Sequence, residues 1–303
     1  MIHAFILVLA LAPALIQRQD PLESLPGIER VDDVMIVDDV PYALDHPRQV
    51  MDVAMPRSHD GLLPVVVIIH GGGWVAGDKE QVRMFLPPVA QGGCMAISAN
   101  YRLAPGDQAP AAIHDIKYLL RWLDRNSEAL SIDRERIALM GFSAGGHLAA
   151  LAGLTCDTKE LDPDQPGSGA PVCCIVSIGG PMNLKMGSRS SRGESLIREW
   201  IGSRDEAGPD KLDFYSPVEW LNEGDPPILL IHGEEDQVVS RAQATRMRRA
   251  CDRAKVPCQI ELIEDGAHMP AVATYASPLM KFLDGHLDSS IESYMSGGAI
   301  RSD

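Results

Sequence analysis

Apolar residues along this chain fall into short β-branched runs separated by stretches with helical spacing. The runs are PVVVIIHGGGW (64–74), CMAISANYR (94–102), RIALMGFS (136–143), CCIVSIGG (173–180), PILLIHGEED (227–236) and QIELIED (259–265). The first five lack the apolar–polar alternation of a half-exposed strand, so they read as strands covered on both faces. Between them, residues 109–126 place Ile113, Ile116, Leu119, Leu120 and Leu123 on one helical face, a small-residue helix follows Ser143, and residues 240–254 form another helix. Residues 78–91 read as a helix broken at Pro87-Pro88. VDDVMIV (31–37) and QVMDVAM (49–55) read as two edge strands with polar turns around Asp45–Pro47. Strands alternating with helices predict an α/β fold, a mostly parallel central sheet with helices on both faces. The polar stretches 155–171 and 183–224 interrupt the pattern; the second is long enough to cover a site but not to make a separate domain. The reading is one domain over 21–290, with 291–303 as a frayed tail.

Residues 4–16 (AFILVLALAPALI) form an apolar run too short to span a bilayer. The run suits the core of an export signal, with Ala12-Pro13-Ala14 at cleavage spacing. Residues 1–20 are therefore read as a signal peptide or an apolar N-terminus, and the protein as periplasmic or extracellular if exported and otherwise cytoplasmic, with no stable membrane insertion after signal removal. Composition adds little to the fold but narrows the partners. With 27 basic against 42 acidic residues the net charge is −15, which disfavours nucleic acid and suits a neutral or cationic ligand. The six cysteines make no C-x-x-C pair and no Cys/His grouping has zinc spacing, so no metal is expected. Cys251 and Cys258 flank a short turn and are read either as a disulfide or as two buried thiols.

Candidate chemistry sits at the ends of the strands. In Gly141-Phe142-Ser143-Ala144-Gly145 a buried strand runs straight into a helix. A turn that sharp forces the serine into strained φ/ψ, and glycines on either side relieve the crowding. The hydroxyl then stands above the sheet at a helix N-terminus, as a candidate nucleophile. His70-Gly71-Gly72-Gly73-Trp74 ends the first buried strand, and its backbone amides can approach a ligand with no Cβ in the way. The amides of Gly72, Gly73 and Ala144 are the candidate oxyanion donors, while His70 is read as a loop brace. Among nine histidines, His3, His46 and His59 precede the sheet core, and His147 follows Ser143 on its own helix. His268 lies in a loop directly after the last strand and is the candidate base. Glu234, Glu235 and Asp236 all follow the fifth strand, and spacing leaves the choice of acid open. Asp115, on its helix, is read as structural.

Five segments together, HGGGW (70–74), NYRLAP (100–105), GFSAGGHLA (141–149), HGEEDQVV (232–239) and DGAHMP (265–270), resemble the α/β-hydrolase esterases. The branch resembled is the hormone-sensitive-lipase-like carboxylesterases, nearest to feruloyl and acetyl-xylan esterases. The resemblance runs from about residue 31 to 285. It implies an α/β-hydrolase fold and a cofactor-free serine esterase with Ser143 as nucleophile and His268 as base. The family pattern puts the acid three residues after a His-Gly pair, which is Asp236 here. Gly106 follows Pro105 where lipase-like members often carry Glu, and residues 21–63 are too short and strand-like for a helical cap, so bulky lipid substrates are not expected.

The expected substrate is a small neutral ester or a carbohydrate ester, acetyl or feruloyl. Trp74 is read equally as a platform for a sugar or aromatic ring and as a core anchor, and Met182 with Pro181 as a wall of the acyl pocket. The rival readings are an amide or peptide hydrolase or formamidase of the same fold, and a binding protein that has lost its chemistry.

Overall fold

The computed structural model describes residues 28–156, 158–162, 169–188, 190–202 and 210–292. The apolar run at 4–16 and the tail beyond Glu292 lie outside them. The strands are β1 (Ile28–Val31), β2 (Val34–Pro41), β3 (Val50–Pro56), β4 (Leu63–Ile69), β5 (Met95–Ala99), β6 (Ile132–Phe142), β7 (Cys174–Ile178), β8 (Ile228–Gly233) and β9 (Cys258–Ile263). Among the described residues they form one nine-stranded sheet in the order β1-β2-β3-β5-β4-β6-β7-β8-β9. The first three strands join antiparallel, β3 pairs antiparallel with β5, and every later pairing is parallel.

The unbroken apolar run of β4 is explained by burial on both faces. Leu63, Val65, Val67 and Ile69 point into one core, and Val66 and Ile68 into the other. The first core is covered by α2 (Ala111–Asn126), α3 (Ala144–Leu154) and α6 (Ala242–Ala254). The second is covered by α1 (Leu86–Gln91) and α7 (Ala276–Leu287). Two further helices, α4 (Ser191–Ile201) and α5 (Lys211–Phe214), fall in the long polar stretch. All eleven residues of α3 are buried, which is why its sequence is small and apolar all round rather than amphipathic.

Strand order turns back at β4, with β5 on one side and β6 on the other, so the crevice above their carboxyl ends is the expected ligand position. Residues 28–63 extend the sheet and form no helical cap. The expected broken helix at 78–91 is instead a 3₁₀ helix, Lys79–Phe85, running into α1. Pro87 and Pro88 occupy the first turn of α1, where a missing N–H costs nothing, so they start a helix rather than break one. Lys79 and Arg83 of the 3₁₀ helix both pair with the fully buried Asp52 of β3, at 2.7 and 2.9 Å. All six cysteines are free thiols, so the bridge between Cys251 and Cys258 is not formed. The packed body also runs past residue 290, because Ile291 is buried and its amide donates to Asp284 Oδ1 at 2.8 Å.

Candidate active site

β6 delivers Ser143 into the turn before α3 with φ 52° and ψ −117°, a conformation costly for a residue with a Cβ. The surrounding glycines are sterically required. A Cβ on Gly141 would lie 2.2 Å from the Gly145 carbonyl oxygen, and one on Gly145 would lie 2.2 Å from that of Ile69. The Ser143 amide donates to the Ile178 carbonyl at 2.7 Å, tying the turn to the end of β7.

His268 Nε2 lies 2.9 Å from Ser143 Oγ, and its Nδ1 lies 2.7 Å from Asp236 Oδ2. Of the three acids that spacing left open, Asp236 is the one brought to His268 and is fully buried. Glu234 pairs outward with Arg241 at 3.1 Å, and Glu235 is exposed. The other Asp236 oxygen accepts the amides of Val238 and Val239, both at 2.8 Å. Burial alone would raise the Asp236 carboxyl. Hydrogen bonds from His232 and His268 and from the Val239 amide outweigh it and hold the group well below the usual carboxylate range. The β8 and β9 loops meet so closely that a Cβ on Gly233 would lie 2.2 Å from the carbonyl oxygens of Gly266 and Ala267.

The glycine loop after β4 packs against this turn: a Cβ on Gly71 would lie 3.1 Å from the Phe142 carbonyl oxygen. Gly72 has φ +114°, and its carbonyl accepts the amides of Val75 and Ala76 at 3.2 and 3.1 Å. A Cβ there would fall 2.0 Å from the Ala76 carbonyl oxygen, so only glycine fits. His70 is buried and stacks on Tyr101 with ring centroids 4.3 Å apart, and its Nδ1 donates to the Gly71 carbonyl at 2.7 Å. Tyr101 Oη donates to the His70 carbonyl at 3.1 Å, so the two rings clamp the loop. Burial lowers the His70 imidazole to about 4 and keeps it neutral, as a brace requires. His147 is likewise lowered by burial to about 4, and its Nε2 donates to the Tyr215 carbonyl at 2.7 Å. Asp115, fully buried, accepts from Gln49 Nε2 at 2.8 Å and from the Arg102 amide at 2.7 Å, fixing the NYRLAP segment.

Two cavities open at Ser143. The larger, about 580 Å³, is lined by Gly71, Gly72 and Gly73, by His268 and by a mostly apolar wall. The smaller, about 40 Å³, touches Ser143, Ala144, Trp74 and Pro181. Trp74 is 3% exposed; it stacks on Trp200 at 4.6 Å and meets His147 edge-on at 5.1 Å. It is a core anchor that closes the small cavity and presents no open face to a sugar. Met182 lines neither cavity. Its amide donates to Gln243 Oε1 at 3.0 Å and its carbonyl accepts from Val218, which hold it in the core and leave Pro181 as the wall. Sequence reasoning missed Leu196, which lines both cavities, and Arg192, both on α4. Nothing local in the SRGESLIREW segment marks them, because only the tertiary path brings α4 over the site. Among the described residues no group of three or more His, Cys, Asp or Glu could hold a metal ion, and no helix is long and apolar enough to cross a membrane.

The BD-FAE family profile matches residues 51–251. Esterase LipC of Mycobacterium tuberculosis is 33% identical over 224 residues, 70% of this chain and 55% of that protein. Isoprenylcysteine alpha-carbonyl methylesterase ICME of Arabidopsis thaliana is 27% identical over 233 residues, 74% of this chain and 54% of that one. The chain thus spans about half the length of the curated relatives it matches. A truncated carbohydrate esterase from gut microbiota shares the fold with a TM-score of 0.74 at 24% identity, covering 86% of this chain and 98% of that one. With the profile covering two-thirds of its length, the chain belongs to the BD-FAE family of α/β-hydrolase esterases.

Proposed function

We propose that the protein is a serine carboxylesterase that hydrolyses short-chain acyl esters or carbohydrate-linked acetyl or feruloyl esters. The carrying observation is the unbroken hydrogen-bonded line from Ser143 Oγ to His268 at 2.9 Å and from His268 to Asp236 at 2.7 Å, on the rim of a 580 Å³ cavity. Ser143 Oγ attacks the ester carbonyl as His268 Nε2 takes its proton, and Asp236 holds the imidazole with Nδ1 protonated. The carbonyl oxygen gains charge against the amides of Gly72, Gly73 and Ala144, each such donor lowering the barrier by about 3 kcal/mol. His268 returns its proton to the leaving alcohol as the carbon–oxygen bond breaks. Water then attacks the acyl-enzyme by the same route, releasing the acid and restoring Ser143. The esterase names of the relatives support this chemistry over amide hydrolysis.

Hydrolysis of p-nitrophenyl acetate, butyrate and octanoate and of methyl ferulate tests the reading, with Ser143→Ala as control. Turnover should fall at least about a thousandfold in the variant, and a fluorophosphonate should label wild type at Ser143. Equal rates for the two proteins, or a folded wild type inert to ester and probe alike, would refute it.

A further inference from the structure

We propose that the preferred substrate joins a short, acetyl-sized acyl group to a bulky apolar alcohol that carries an anionic group facing Arg192. The proposal rests on the serine-esterase reading, takes its short-chain acyl arm over the carbohydrate and feruloyl arms, and divides the substrate between the two cavities.

The division follows from the proton. The leaving oxygen must receive its proton from His268 Nε2, so the alcohol lies on the His268 side. His268 lines the 580 Å³ cavity, with Met269, Pro270, Val272 and Tyr275 following it in the chain and Met84 and Phe85 also in the wall. The 40 Å³ cavity touches Ser143 and Ala144 but not His268, which places the acyl group there. That volume holds about three water molecules: an acetyl or propionyl group fits, and a feruloyl group does not. A feruloyl group turned into the large cavity would compete with the alcohol for the space beside His268.

The large cavity is ill suited to a sugar. Met84 and Met269 in its wall are 54% and 50% exposed, among the most exposed large apolar side chains of the described residues. Apolar surface left open beside a reactive serine suits an apolar or aromatic leaving group. The polar side chains of the lining apart from Ser143 and His268 are Gln81, Arg192 and Tyr275, and of these only Arg192 carries a charge. Arg192 is exposed and makes no ion pair among the described residues. It sits in the first turn of α4, where the helix dipole disfavours a cation. A local rule broken at the mouth of a site is expected where the residue serves a ligand. A guanidinium there suits a carboxylate on the alcohol, a local exception to the acidic composition that otherwise favours a neutral or cationic ligand.

The test uses the full chain as wild type, Ser143→Ala, Arg192→Gln and Arg192→Lys. The substrates are phenyl acetate, phenyl octanoate, methyl ferulate and 4-acetoxybenzoate, an acetate ester whose phenol bears a carboxylate. Wild type should prefer phenyl acetate over phenyl octanoate and methyl ferulate by at least about tenfold in kcat/KM. The kcat/KM ratio of 4-acetoxybenzoate to phenyl acetate should fall about fivefold in Arg192→Gln, chiefly through KM, and recover in Arg192→Lys. An unchanged ratio in Arg192→Gln, or a preference for the octanoate or the ferulate, overturns the proposal while leaving the esterase reading intact. No turnover above Ser143→Ala on any ester overturns both.

Discussion

His232 Nε2 lies 3.2 Å from Asp236 Oδ2 and 2.9 Å from the Val239 carbonyl oxygen, so the carboxylate that meets His268 is held from behind by a second imidazole. A carbonyl only accepts, so this nitrogen carries the proton and Asp236 receives a share of it. The four-residue spacing from the strand end to the turn is what lets His232 reach.

His232 is therefore expected to position Asp236 rather than touch the substrate. Removing a buried donor to a charged acceptor costs about 1.5–3 kcal/mol. His232→Ala should lower kcat by about tenfold or more with KM little changed, and His232→Gln, which keeps an N–H at similar reach, should recover part of it. A purely structural role would lower stability alike in both variants and leave kcat per folded molecule at the wild-type value. Steady-state kinetics beside a urea titration separates the two.

Ser143 occupies φ 52° and ψ −117°, a region open to glycine and strained for anything with a Cβ. Ser143→Ala keeps that strain, whereas Ser143→Gly releases it, less the extra entropy glycine loses on folding. Both variants should be inactive, but the glycine variant should be more stable by about 1 kcal/mol, about 2 °C in Tm. Equal melting temperatures would show that the surrounding contacts have absorbed the strain.

The parallel sheet and the Ser143 turn were legible because both are local: a strand buried on two faces has to be apolar throughout, and a strand-to-helix turn needs glycine on each side of the serine. The carboxylate that meets His268 was only half legible. Spacing put Glu234, Glu235 and Asp236 on the right edge, and what separates them is the direction of each side chain and the two amides that only Asp236 accepts. His232 ends its strand four residues before Asp236, and that spacing alone does not tell a brace of the acid from a brace of the loop. Trp74 was left undecided between platform and anchor, because its partner Trp200 lies 126 residues away on a helix whose path the sequence does not specify. Leu196 and Arg192 were invisible for the same reason.

Two buried imidazoles set the expected pH dependence of stability. His70 and His147 are lowered by burial to about 4 from an ordinary value of 6.5. Between those values the unfolded chain binds more protons than the folded one, so stability is full above pH 6.5 and is lost as pH falls towards 4. Each imidazole accounts for on the order of 3 kcal/mol over that window. Asp236, held below its ordinary value, adds loss only below about pH 4, outside the window. Urea midpoints should fall steadily from pH 7 to pH 5, and less steeply in His147→Asn. A flat profile over that range would mean that both rings take up protons in the folded state.

Leu196 forms part of the wall between the two cavities, and a Cβ on Gly73 would lie 2.6 Å from its Cδ1. Truncation to alanine removes three carbons from that wall and joins the 40 Å³ space to the 580 Å³ one. Since each methylene in an apolar pocket is worth about 1–3 kcal/mol of discrimination, acyl preference should move towards longer chains. The ratio of p-nitrophenyl hexanoate to acetate kcat/KM should rise at least about tenfold in Leu196→Ala. The acetate itself should lose a few-fold through looser positioning of its carbonyl beside Ser143. If acetate and hexanoate change in parallel, Leu196 does not limit chain length. The acyl boundary would then lie with Trp74, Pro181 and Ile197, the more rigid side of the small cavity.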